Sequence, residues 1–146
     1  MMINKNNLFY FCSVVEYVAR VTKNERKDII NKLTDHDIKH ELYLAEVNHC
    51  LSFEQVSDEW IKKYNIVEGK YDSIGICKYK VPSYTAIGKV YCNLILDVLD
   101  DDDNLIKTIK DVFNSIIVEE ISFFNSNVFY SNSDYLKESY LANKLL

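Results

Sequence analysis

Apolar side chains return every three or four residues along most of this chain, a spacing that an α-helix turns into one continuous face. Leu8, Phe9, Phe11, Cys12, Val15, Val18 and Ala19 make the first stripe, which Tyr10 and Tyr17 broaden. A short second helix is predicted from Glu25 to Leu33, with Asn24 as its N-cap and Ile29, Ile30 and Leu33 turned inward. A third runs from about Asp35 to Cys50 on Ile38, Leu42, Ala45 and His49. Ser52 and Gln55 then start a capping box ahead of Phe53, Val56, Trp60, Ile61 and Tyr64.

Pro82 sets off the clearest stripe, which begins near Ser83 and carries Ile87, Val90, Tyr91, Leu94, Ile95, Val98 and Leu99. Gly88 within it costs roughly 1 kcal/mol of helix propensity and permits a close helix contact. Asp100, Asp101, Asp102 and Asp103 interrupt the pattern. From Asn104 it resumes through Ile106, Ile109, Val112, Phe113, Ile116, Ile117 and Ile121, in a helix that reaches Phe124 or breaks near Ser115. Asn125 to Ser133 reads as an aromatic-containing loop, followed by a last helix bearing Tyr135, Leu136, Tyr140, Leu141 and Leu145. The segment 71–81 has strand-like content but no second strand to pair with, so it is an extended connection or a short edge element.

The expected fold is therefore all-α: a compact bundle of five to seven short helices in a single domain spanning residues 1–146. It forms one body or two tightly packed lobes that meet near 65–82. No fixed-period repeat supports a solenoid. Three Gly and one Pro in 146 residues argue against disorder, and 48% hydrophobic residues supply an ample core without disulfides or metal. Cys12, Cys50, Cys77 and Cys92 are too scattered for a CxxC pair and read as reduced structural thiols. The start of the chain lacks the pattern of a signal peptide, and no apolar run is long enough for a bilayer span, so cytoplasmic residence without membrane contact is expected.

No motif commits the chain to catalysis. His36 and His40 share a helical side, with His49 or Cys50 as a conceivable third metal ligand, but HDIKHE is not the HExxH arrangement. The four aspartates lack the glycine bend and late bidentate acid of an EF-hand, and they read as a solvated turn whose last Asp or Asn caps the next helix. Glu119 and Glu120 are adjacent and point apart, and no serine or cysteine has a motif-level base. The expectation is no catalytic residue, no cofactor and no metal. A net charge of -5 disfavours a phosphate backbone, although Lys23, Arg26 and Lys27 form a basic group suited to a nucleic-acid-binding regulator. Eleven Tyr and seven Phe suit an interface as well as a core. Asp100, Asp101, Asp102 and Asp103, as an acidic contact for a basic partner, and Phe129, Tyr130 and Tyr135, as aromatic anchors, are the partner-binding candidates.

LFYFCSVVEYVARVTKNERKDIINKL (Leu8 to Leu33) resembles the beginning of small bacterial proteins encoded beside ADP-ribosyltransferase-like toxins. PSYTAIGKVYCNLILDV (Pro82 to Val98) and VFNSIIVEEISFFNSNVFYSNSDYLKESY (Val112 to Tyr140) look like another module of small proteins from related genomic settings. Phe11, Cys12, Tyr17 and Tyr91 match there as packing positions. The resemblance implies an antitoxin or accessory subunit and brings no catalytic motif with it. The leading expectation is thus a non-catalytic protein-binding module, antitoxin-like, that neutralises a basic toxin by surface occlusion. A nucleic-acid-binding regulator and a metal-dependent enzyme stand as alternatives, and a homo-oligomer is compatible with the reading.

Overall fold

The computed structural model describes residues 3–146, and each apolar stripe becomes a helix. α1 (Lys5–Thr22) opens at Asn4, whose side-chain oxygen accepts the Asn7 amide at 3.1 Å, and closes at Lys23 in the left-handed region with φ 57°. α2 (Arg26–Ile30), α3 (Asp35–Asn48) and α4 (Phe53–Lys63) follow; the Thr34 hydroxyl caps α3, and that of Ser52 caps α4 by accepting the Gln55 amide, as its spacing predicts. α5 (Tyr84–Val98) is capped by Ser83, and α6 (Leu105–Phe113), α7 (Ile116–Ser122) and α8 (Ser133–Ala142) complete the chain. Asp102–Asn104 and Val128–Tyr130 are single 3-10 turns.

The described residues thus hold eight α-helices, one more than the expected upper number. The extra helix comes from the break at Asn114 and Ser115. There the Ser115 hydroxyl donates to the Val112 carbonyl at 2.6 Å and the Asn114 amide to the Lys110 carbonyl at 2.8 Å, ending α6 early. Asn24 is not the cap of α2. Its amide donates instead to Thr22 Oγ1 at 2.9 Å and to the Val67 carbonyl at 2.8 Å, while Glu25 takes the cap position and Asp28 accepts the Glu25 amide.

No strand forms among the described residues, and 71–81 is an irregular connection with a turn at 73–76. Asp72 Oδ1 accepts the Gly75 amide at 2.8 Å, and the Asp72 and Ile74 carbonyls accept the Ile76 and Cys77 amides. A strand needs a neighbour, and here the backbone is satisfied by local turns and by bonds to Lys23 and Asn125.

α1 is the hub. It packs most extensively on α5 and also touches α2, α3 and α4, while α6, α7 and α8 close the far side. Buried side chains from all eight helices join one hydrophobic cluster, from Leu8 and Phe11 through Ile29, Ile38 and Trp60 to Tyr91, Phe113, Ile121 and Leu136. The α1–α5 approach is close at Gly88. A Cβ there would lie 2.7 Å from Ser13 Cα and 2.8 Å from Ser13 N.

All four thiols are free; Cys12 and Cys92 are buried and Cys50 is exposed. Burial pushes the Cys12 thiol well up and that of Cys92 up to about 11, so neither supplies much thiolate near neutral pH. Iodoacetamide treatment of the native protein, followed by peptide mass mapping, is expected to label Cys50 first and Cys12 only on unfolding. Early labelling of Cys12 would mean that α1 opens locally. No helix among the described residues is long and apolar enough to cross a membrane.

Candidate recognition cleft

The site is built on a charge inside the core. Glu16 lies on α1 within the apolar stripe and is fully buried. Its carboxylate accepts from Arg20 Nε at 2.7 Å, Arg26 Nε at 2.8 Å, Arg26 Nη2 at 2.5 Å and the Tyr91 hydroxyl at 3.0 Å. Burial works to raise the Glu16 pKa, but the charge and hydrogen bonds of Arg26, then of Arg20, outweigh it and hold the carboxyl below the ordinary glutamate range. The Tyr91 hydroxyl, buried against that carboxylate, is pushed well up and stays a donor.

The two guanidiniums also reach outward to two loops. Arg20 Nη2 donates to the Pro82 carbonyl at 2.8 Å and Arg26 Nη2 to Ser73 Oγ at 3.1 Å, which ties down both ends of the segment 73–82. The same cations lie over the Phe124 ring, Arg20 at 5.0 Å and Arg26 at 5.8 Å from its centroid. Phe124 begins the second loop, and the two loops are then stitched together. Lys78 N–H donates to Asn125 Oδ1 at 2.7 Å, and Asn125 Nδ2 donates back to the Ile76 carbonyl at 2.9 Å.

Between the loops lies an open cleft of about 540 Å³, lined by Tyr79 and Lys80 from the first loop and Phe124 to Asn127, Phe129 and Tyr130 from the second. Phe124 forms the floor. Phe129 stands edge-on to it at 5.8 Å and supports the Tyr130 ring at 4.5 Å. Tyr130 is 81% exposed and Tyr79 69%, and the cleft brings these two exposed rings together on hydrogen-bonded loops.

Of the partner-binding candidates, Phe129 and Tyr130 are brought together here. Tyr135 is half-buried against the core, and its hydroxyl donates to the Leu146 carbonyl at 2.7 Å. The acidic run lies at the other end of α5, whose length of about 22 Å separates it from Lys80. Asp101 caps the 3-10 turn through the Asp103 amide, and Asp100 accepts from Asp101 N–H and Asn104 Nδ2. Asn104 precedes α6 without a side-chain cap bond, so capping within the run falls to Asp101.

The basic group is dispersed. Arg26 is buried, Lys23 lies 3.7 Å from Glu68, and Lys27 pairs with Glu119 at 2.7 Å. The His36 and His40 rings lie parallel with centroids 6.4 Å apart, and His49 is about 14 Å beyond His40 along α3 at the helical rise. No group of three metal-ligating side chains converges among the described residues.

Sequence reasoning missed Tyr79 and Lys80, which gain meaning only when the loops meet. It missed the Glu16–Arg26 pair too, although one acid and one base, each on an otherwise apolar helical face, were its visible signal. Compared with known proteins, the chain matches no family model, no curated protein and no solved structure.

Proposed function

We propose that this chain is a non-catalytic protein-binding module that recognises its partner in the cleft between the loops 73–82 and 123–130. Its most concrete form is the antitoxin-like one that the resemblance implies, in which a cytoplasmic partner is neutralised by covering its working surface. The observation that carries the reading is Tyr130, an exposed ring seated on Phe129 and facing a cleft whose loops are fixed from below. Rigid, half-supported aromatics release water from a large apolar area and lose few rotamers on contact, which makes them the commonest anchors of protein interfaces.

The test is affinity capture from the native host with identification by mass spectrometry, repeated with Tyr130→Ala and Tyr79→Ala. Because both rings are exposed, each variant is expected to unfold within about 0.5 kcal/mol of the parent, while partner affinity falls at least about tenfold. A partner that the Tyr130→Ala protein holds as tightly as the parent would remove the cleft from its interface.

The exposed run Asp100 to Asp103 supports a second contact, with a basic surface. None of these aspartates belongs to an ion pair among the described residues. Changing all four to Asn is expected to slow association and flatten its salt dependence, as measured by stopped flow, and to leave dissociation unchanged.

A further inference from the structure

The cleft of this acidic protein is locally positive. From Ser73 to Ser83, the loop that forms one wall, the sequence has no Asp or Glu and carries Lys78 and Lys80, although the chain has 22 acidic residues. Ile121 to Ser133, the opposite wall, carries no charge at all. Beneath the floor, Arg20 and Arg26 share the single carboxylate of Glu16, so one positive charge is left uncompensated under the Phe124 ring. At the rim Lys80 is exposed and belongs to no ion pair among the described residues. A charge held in a low-dielectric interior is screened by salt far less than one at the surface, so the buried excess reaches into the cleft.

We infer that the cleft takes an acidic-aromatic peptide segment of its protein partner, with a carboxylate at Lys80 and an adjacent apolar ring against Phe129 and Tyr130. The inference rests on the protein-binding reading and names the chemistry of the bound segment. Two features set a peptide above a nucleic acid. The lining offers a single ammonium, enough for one carboxylate and few for a row of phosphates, and the net charge of -5 opposes a polyanion at long range. The side-chain amide of Asn127, which makes no hydrogen bond among the described residues, suits a peptide backbone beside the anchored ring, whereas the Ser126 hydroxyl is already held by the Phe123 carbonyl.

The experiment selects a phage-displayed random dodecapeptide library on the immobilised full chain. Selected peptides are then synthesised and titrated against parent, Lys80→Glu and Tyr130→Ala proteins, with a fluorescein-labelled oligouridine in parallel. Unfolding midpoints verify that both variants fold. The expected result is enrichment of peptides with Asp or Glu next to Trp, Phe or Tyr. Their affinity drops about tenfold in each variant, and rising salt weakens them on the parent more than on Lys80→Glu. Basic peptides that need Tyr130 and gain from Lys80→Glu would overturn the acidic assignment and leave the protein-binding cleft standing. Failure to select any Tyr130-dependent peptide, or tight oligouridine binding that needs Tyr130 and Lys80, would overturn both.

Discussion

Glu16→Ala is expected to cost about 3–5 kcal/mol of unfolding free energy, read as a lower urea midpoint, because it leaves a buried guanidinium without its anion. Arg26 is 1% exposed and has Ser73 and the Asn24 carbonyl as its other partners, neither of them charged. Tyr91 loses its acceptor in the same stroke. Glu16→Gln keeps the volume and one acceptor and should lose less, and the double change Glu16→Leu with Arg26→Leu should recover part of the loss by removing both buried charges.

The pH dependence has a definite sign. The folded-state pKa of Glu16 lies below its unfolded value, so its contribution is complete above the unfolded value and is lost as pH falls through the folded one. Stability is therefore expected to decline below the ordinary glutamate range, with a shallower decline in Glu16→Gln. A Glu16→Ala protein within about 1 kcal/mol of the parent would mean that water reaches and satisfies both arginines.

Gly88→Ala is the second large effect. An exposed helix glycine changed to alanine gains about 1 kcal/mol, but here the new methyl would meet the Ser13 backbone, which cannot rotate away. Forcing α1 and α5 apart should outweigh the gain and leave a net loss of roughly 1–3 kcal/mol, with Gly88→Val worse. The sign alone decides the matter. A stabilised Gly88→Ala protein would show that the two helices do not approach as closely as 2.7 Å from the new carbon to Ser13 Cα implies. Gly69 is similarly confined, since a Cβ there would meet the Lys23 carbonyl at 2.6 Å.

Helices were legible because burial imposes a period on them. The stripes on α1, α5 and α6 and the cap at Ser52 needed only neighbours in sequence. The cleft needed more. Arg26 sits three and four residues before Ile29 and Ile30 on one face, so its burial was written in the spacing, yet charge alone suggests the surface. Its partner lies ten positions away on a different helix, and no local rule joins them. Tyr79 and Lys80 stand in a stretch without periodicity, and their juxtaposition with Phe129 and Tyr130 depends on hydrogen bonds from Asn125 across the fold. The acidic run lies at the far end of α5 from Lys80, a separation that local sequence does not express.

The stretch between α4 and α5 has no regular structure, yet it behaves as a bracket. Gly69 and Tyr71 amides hold the Thr22 and Lys23 carbonyls at 2.8 Å each, and Arg26, Asn125 and Arg20 fasten Ser73, Ile76 and Pro82 in turn. A surface fixed this way has already surrendered its conformational freedom during folding. In the proposed complex, docking would proceed without waiting for a loop to close, and a long lifetime would rest on slow escape.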